Sequence, residues 1–307
     1  MSHNAIITQT TGSDLIEASV DLYMISISNR LSSSTVKVYE RQLRHFKEWF
    51  LSTPMRIDLP NHLQQYRAEI IEQYGNGGRV NFGLTVVRSL YKFLYETGLI
   101  DHDPTLRLKN VKEVSGCKRS ALSRDQLSVI IHHLNRSTKR QASRDRVIFL
   151  LLAMNGLRVS ELTNLRICDI DQHQGKRVAY LLRKGHIDRS AYVILREETY
   201  SLLMDFIGDR TEGFVFLSER TGGQISSGTV SHIIKGIYRG CGYDSKSLTA
   251  HSLRHTYAIL ALEGGASITG LMRSMNHKNI STTTNYLHSY DRITNSAEEA
   301  VSLDFNA

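Results

Sequence analysis

The 307-residue sequence predicts a mainly α-helical chain with a small β-sheet, folded as two domains. Three observations lead to this fold class. Apolar residues recur at helical spacing through the first half, this spacing lapses across residues 105–120, and the runs 177–183 and 189–195 alternate with a period of two. A chain of this length also exceeds the usual size of one compact core.

The N-terminal half contains two amphipathic segments. SSSTVKVYERQLRHFKEWFLS begins with a serine run that can cap a helix, and VNFGLTVVRSLYKFLYETG ends at Gly98, a residue type common at helix C-termini. Two prolines and Asn61 between them predict a loop that leads into another helix. We therefore predict an all-helical domain over residues 12–104 and an interdomain linker over residues 105–120.

The second half mixes helices and strands. Ser123 and Gln126 form a capping-box pattern at the start of one helix, Gly156 ends a second, and Ser160 is the candidate N-cap of a third. The runs RVAYLLR and RSAYVIL, joined by KGHID, predict a β-hairpin. This pattern predicts a mixed α/β domain over residues 121–290.

The charge distribution bounds the class of partner. The net charge is +8, and residues 1–115 carry 13 Lys and Arg against 12 Asp and Glu, whereas residues 116–307 carry 25 against 18. A basic, cysteine-poor chain favours a polyanionic partner, most often nucleic acid, although a solvated basic surface gives the same count.

The three cysteines indicate a reducing compartment. Cys117, Cys168 and Cys241 are odd in number and far apart, so neither a disulfide framework nor a cysteine metal site is predicted. No stretch reaches the roughly 18 apolar residues of a membrane span, and the N-terminus lacks the pattern of a signal peptide. We expect a soluble, cytoplasmic protein.

Four short patterns contain residue types that bind phosphate. In chain order they are NGLRVSEL with Arg158, RKGHIDR with Lys184, HSLRH with His251 and Arg254, and NHKNISTTTNYLH with His277 and Tyr286. His251 and His255 are spaced like a zinc pair, but the intervening SLR lacks the glutamate of H-E-x-x-H, and no third ligand is evident. We therefore expect no metal.

This ordered set resembles the tyrosine recombinases of the phage integrase and Xer type. Those enzymes carry G-L-R-x-x-E-L, a lysine on a β-hairpin, H-x-L-R-H, and L-G-H followed by T-T and a nucleophilic tyrosine. The chain departs at L-G-H, where it has Met275-Asn276-His277. Asparagine tolerates positive φ, so we expect the turn and the histidine to be kept. The N-terminal segments are also similar to that family, so the resemblance covers nearly the whole chain.

The resemblance implies a C-shaped, two-domain DNA clamp, with an N-terminal helical core-binding (SAM-like) domain and a mixed α/β catalytic domain. It implies duplex DNA with inverted-repeat core sites as partner, a dimer on one site and a tetramer in the synaptic complex. The tail, residues 291–307, would dock on a neighbouring subunit, with disorder or docking in cis as alternatives. Neither cofactor, metal nor ATP is expected, and the enzyme would act at the nucleoid of a bacterium or for a phage or mobile element.

It also implies roles for the site residues. Arg158 and Arg254 would bind the nonbridging oxygens of the scissile phosphate and stay charged at any working pH. Tyr286 would be the nucleophile, and because a phenol is mostly protonated at neutral pH, His251 would accept its proton or position the phosphate. His277 would add a hydrogen bond to the phosphate.

Lys184 would donate a proton to the leaving 5′ oxygen as general acid. Its rivals are Arg183 and Arg189, because a one-residue shift of the hairpin changes which side chain points inward. Glu161, one turn after Arg158, resembles the family's acidic residue that orients the active-site cations, and His255 would pack behind the site.

The sequence thus predicts a site-specific DNA recombinase that cleaves and rejoins strands through a 3′-phosphotyrosyl intermediate. Two alternatives stay open. A type IB topoisomerase would use the same residues to swivel one strand, and a non-catalytic DNA-binding protein could share the scaffold.

Overall fold

The computed structural model describes residues 12–53, 60–75, 77–112, 120–182 and 188–275. Over these residues the chain is mainly α-helical with one small β-sheet, which confirms the fold class expected from the sequence. The chain separates into two compact units, Met1–Gly116 and Cys117–Ala307, and each has its own hydrophobic core. Within the described ranges, no helix combines the length and the apolar character needed to cross a membrane.

Four α-helices of the first unit are described: α1 (Gly12–Ser28), α2 (Ser33–Ser52), α3 (Pro60–Tyr74) and α4 (Gly77–Glu96). Ser32 caps α2, since its hydroxyl accepts a hydrogen bond from the backbone N–H of Thr35. Gly98 follows α4 at φ +71°, a left-handed conformation that glycine adopts without strain. Phe46 and Leu90 are fully buried in the core that these helices share.

Residues 104–112 lie on α3 and α4. Nε of Arg67 donates a hydrogen bond to the Lys109 carbonyl at 2.9 Å, and the side chain of Asn81 exchanges two hydrogen bonds with the backbone of Val111. The beginning of the predicted linker is therefore packed on the first unit. Hydrogen bonds from side chains to backbone groups far away in the chain leave no periodic signal in the sequence. The domain boundaries assigned from the sequence stay predictions.

Seven α-helices of the second unit are described: α5 (Arg124–Arg136), α6 (Ala142–Met154), α7 (Val159–Thr163), α8 (Glu197–Ile207), α9 (Ser227–Gly240), α10 (Ala250–Glu263) and α11 (Ile268–Met275). The predicted capping box of α5 is confirmed at Ser123 and Gln126. Helix α6 packs against α5, α7, α8, α9 and α10, and is buried around most of its circumference. It therefore fixes the positions of α7 and α10, the two helices that carry the described site residues.

A three-stranded antiparallel sheet, in the order β1 (Ile170–His173), β2 (Lys176–Leu181) and β3 (Ala191–Ile194), flanks these helices. The predicted hairpin is confirmed as β2 and β3, with Leu181 opposite Ala191. Strand β1 was not predicted, because it is short and largely polar. It is joined to β2 by Gln174 and Gly175, both at positive φ, as in a tight two-residue hairpin turn.

Candidate active site

The first site helix, α7, begins directly after Arg158, which is its N-cap residue. The Glu161 carboxylate accepts a hydrogen bond from the Arg158 backbone N–H at 2.8 Å, and so satisfies a donor at the helix start. The prediction that Ser160 caps this helix is wrong. Ser160 lies inside α7, and its carbonyl accepts a hydrogen bond from the Thr163 hydroxyl.

One buried carboxylate joins the two arginines of the site. Oε1 of Glu161 accepts a hydrogen bond from Nη1 of Arg158 at 2.7 Å, and Oε2 lies 3.8 Å from Nη1 of Arg254. The Glu161 side chain is only 3% exposed, so solvent and salt screen these contacts weakly. Two guanidinium groups on one carboxylate leave a net positive charge, which favours an anion.

Arg254 is oriented by two backbone carbonyls. Its Nη1 donates a hydrogen bond to the carbonyl of Gly156, just beyond α6, and its Nη2 donates one to the carbonyl of Met275, at the end of α11. Its side chain is 3% exposed, against 35% for Arg158. Because a guanidinium group donates in fixed directions, these carbonyls determine how Arg254 is oriented.

Gly156 is required where it stands. Its φ of +63° is strained for other residues, and a Cβ atom there would lie 2.3 Å from Cδ1 of Tyr257. The prediction that a glycine ends this helix is confirmed, since α6 ends two residues earlier at Met154. The close approach of Tyr257 to the backbone brings α10 against the end of α6.

His251 and His255 lie one turn apart on α10 and are both half-buried. Their rings contact edge to face, with centroids 5.1 Å apart and an interplanar angle of 80°. His251 is in the first turn of the helix, where the helix dipole favours an anion. Among the described residues, no group of three or more His, Cys, Asp or Glu side chains is placed to hold a metal ion.

Four residues named from the sequence lie outside the described residues: Arg183, Lys184, His277 and Tyr286. Arg189, a rival for the role of Lys184, is described. It forms an ion pair with the Asp169 carboxylate and donates a hydrogen bond to the Asn164 carbonyl at 3.3 Å. Arg189 is therefore engaged in holding the start of β3 against the end of α7.

The structure brings together Arg158, Glu161 and Arg254, and it adds partners that sequence reasoning missed. The carbonyls of Gly156 and Met275 have no sequence signature, because every residue carries one. The pair of Asp169 and Arg189 had a weak signal, an acidic and a basic residue flanking the hairpin. Residue type alone does not say which charges meet.

Comparisons with known proteins identify the family of the chain. Residues 120–292 match the model of the phage integrase family. The tyrosine recombinase XerD of Listeria monocytogenes is 28% identical over 291 residues, which are 90% of this chain and 94% of that protein.

Two solved structures share the fold. The XerH site-specific recombinase bound to palindromic difH substrate has a TM-score of 0.73 and 16% identity, covering 86% of this chain and 80% of that one. A lambda integrase dimer bound to a COC′ core site has a TM-score of 0.67 and 19% identity, covering 94% and 80%. Because the family model spans more than half of the sequence, the chain belongs to the phage integrase family and is a site-specific tyrosine recombinase, an enzyme that exchanges DNA strands.

Proposed function

We propose that Arg158, Arg254 and His251 bind the scissile phosphate of duplex DNA while Tyr286 attacks it and forms a 3′-phosphotyrosyl intermediate. The observation that carries this proposal is the Glu161 carboxylate, which contacts both arginines. A phosphodiester gains negative charge as the nucleophile attacks, and two adjacent guanidinium groups stabilise that charge. The energy of the broken bond stays in the phosphotyrosyl link, so rejoining needs no ATP.

Two described tyrosines of the second unit, one on α9 and one on α10, support Tyr286 as the nucleophile. The Tyr238 hydroxyl donates a hydrogen bond to the Thr249 carbonyl at 3.2 Å, and burial raises the pKa of this phenol. The Tyr257 hydroxyl lies 2.5 Å from Oγ of Ser274. Both phenols are thus held in contacts inside the second unit, whereas Tyr286 belongs to the motif that resembles the family's nucleophile.

Lys184 donates the proton that the leaving 5′ oxygen requires, and His277 adds a hydrogen bond to the phosphate. Glu161 orients both arginines through the contacts described above, and His255 supports His251 through their ring contact. Fixed cations take the place of a metal ion in this scheme.

The DNA partner is proposed from the relatives. The XerH structure contains a palindromic difH substrate, and lambda integrase binds a core site as a dimer. We assign to this chain duplex DNA with inverted-repeat core sites, bound by a core-binding domain over residues 12–104 and a catalytic domain over residues 121–290. A dimer would occupy one site, and residues 291–307 would join two dimers into a synaptic tetramer, in the cytoplasm at the nucleoid.

A covalent-trapping assay tests the chemistry. A binding site is first selected from random duplexes and then built as a nicked substrate. After cleavage, the short fragment that carries the new 5′ hydroxyl diffuses away, and the covalent adduct stays trapped. We expect the wild type and Tyr290→Phe, the matched control four residues along, to form a covalent protein–DNA band, and Tyr286→Phe to form none. An adduct that persists in Tyr286→Phe identifies a different nucleophile.

The same substrates separate the rival functions. A recombinase produces four-way junction intermediates only when two sites pair, whereas a topoisomerase relaxes supercoiled DNA as a monomer without paired sites. A non-catalytic DNA-binding protein binds the selected site and forms no adduct in any variant. Junctions formed from paired sites are the result that we expect.

A further inference from the structure

The two carbonyls that orient Arg254 belong to different elements. The Gly156 carbonyl follows α6, and the Met275 carbonyl ends α11. Arg254 therefore keeps its orientation only if these two backbone segments keep their positions relative to α10. A side chain that contacts both segments would control the geometry of the guanidinium group.

Tyr257 is that side chain. It lies three residues after Arg254 on α10, and its ring is so close to Gly156 that a Cβ atom there would lie 2.3 Å away. Its hydroxyl lies 2.5 Å from Oγ of Ser274, the residue before Met275. One aromatic residue thus contacts the segment of each carbonyl.

We propose that Tyr257 is a positioning residue for Arg254 in strand cleavage. The inference rests on the proposed binding of the scissile phosphate by Arg254. Donors at a transition state act only within a narrow geometry, and a displacement of about 1 Å can cost roughly 100-fold in rate. Tyr257→Phe keeps the ring and removes only the hydroxyl, so the expected loss is smaller, about tenfold in the cleavage rate.

A purely structural role for Tyr257 is the alternative. Tyr257 also packs against a small apolar cluster of α10 and α11 that contains Leu262 and Leu271. Loss of packing would lower the amount of active enzyme or the stability of the fold. Loss of packing would not slow cleavage more on a charged phosphate than on an uncharged one, so the two roles can be told apart by measurement.

The test compares two nicked substrates in single-turnover cleavage. One has the natural phosphodiester, and the other has a methylphosphonate at the scissile position, with each diastereomer measured separately. A methylphosphonate lacks one nonbridging oxygen and its charge, so it depends less on guanidinium donors. We expect Tyr257→Phe to lose about tenfold on the phosphodiester and less than about threefold on one methylphosphonate diastereomer.

Two further variants separate the possible failures. Arg254→Ala should show the same difference more strongly, with a larger rate loss on the phosphodiester than on the methylphosphonate. Equal losses of Arg254→Ala on both substrates would refute the phosphate-binding role of Arg254. If Arg254→Ala behaves as expected but Tyr257→Phe loses equally on both substrates, the positioning role of Tyr257 is refuted. Ser274→Ala should reproduce Tyr257→Phe, and the double variant should lose no more than either single one.

Tyr23→Phe is the matched control. The hydroxyl of Tyr23 lies 2.6 Å from Oγ of Ser89, so the first unit contains the same tyrosine–serine pair. Removal of the Tyr23 hydroxyl should lower the melting temperature by about as much as Tyr257→Phe does. It should leave the cleavage rates of the folded protein on both substrates unchanged. A charge-dependent rate loss in Tyr23→Phe would overturn the inference, because the effect would then follow from destabilisation alone.

Discussion

The two arginines of the site have opposite surroundings. Arg158 is 35% exposed and is held by Glu161, three residues away in the chain. Arg254 is 3% exposed and is held by carbonyls 98 and 21 residues away. The first is positioned by one turn of helix, whereas the second is positioned by the packing of the domain. We therefore expect Arg158 to affect mainly the rate, and Arg254 to affect both rate and stability.

The largest expected effect comes from removing the carboxylate that both arginines share. Glu161→Ala leaves Arg254 buried without its acidic partner, and breaking a buried ion pair typically costs about 3–5 kcal/mol of unfolding free energy. Urea denaturation measures this loss. Glu219→Ala is the control, since its side chain is 58% exposed where it contacts Arg144, and we expect a change below about 1 kcal/mol. Equal changes in the two variants would contradict a shared buried carboxylate.

Lysine substitutions compare the arginines directly. Arg254→Lys has no planar group to reach two carbonyls, and each lost charged hydrogen bond costs about 1.5–3 kcal/mol in the free energy of unfolding. Arg158→Lys keeps a partly exposed charge beside Glu161, so its free energy of unfolding should change by less than about 1 kcal/mol. Its cleavage rate should still fall roughly 100-fold, because bidentate contact with the phosphate is lost. If Arg158→Lys and Arg254→Lys lose the same free energy of unfolding, the difference in burial between the two arginines does not affect stability.

A third arginine extends the comparison to the hairpin. Arg189 pairs with the buried Asp169, and it lies five residues after Lys184 in the chain. Arg189→Met releases this pair near the hairpin that carries Lys184, the proposed general acid. The cleavage rate should fall about tenfold, which is part of the roughly 10²–10⁴-fold rate increase that a general acid supplies. A substrate with sulfur at the bridging 5′ position needs no proton on its leaving group, so the loss should fall below about twofold.

The control for this experiment is Arg124→Met, which removes an exposed ion pair with Glu263 in the same unit. It should cleave both substrates at the wild-type rate. Equal slowing of Arg189→Met with oxygen and sulfur leaving groups would show that the ion pair does not act through the general acid.

The sequence predicted features that depend on residues close together in the chain, and it did not predict contacts between residues far apart in it. The capping box at Ser123, the hairpin of β2 and β3, and the glycine that ends α6 are local patterns, and each is confirmed. The contact of Glu161 with Arg158 is local as well. The carbonyl partners of Arg254 come from long-range packing, which no local pattern specifies.

The errors have the same origin at a finer scale. Ser160 has the residue type of an N-cap, but the Glu161 carboxylate takes the donor at the helix start, so the helix begins two residues earlier than a serine cap requires. Strand β1 is polar because its side chains are largely exposed, and its pairing with β2 depends on a tight turn rather than on apolar alternation. In both cases one specific contact outweighed residue preference.

The conformation of Gly156 bears on how such an enzyme can change. Its dihedral angle disfavours most other residues, and the ring beside it leaves no room for a Cβ atom, so this position tolerates few substitutions. Exposed Ser160, four residues later in α7, has no such restriction. Variation that directs the enzyme to new DNA sites must therefore leave Gly156 unchanged. Mutant libraries made for that purpose should keep the codon of this glycine fixed.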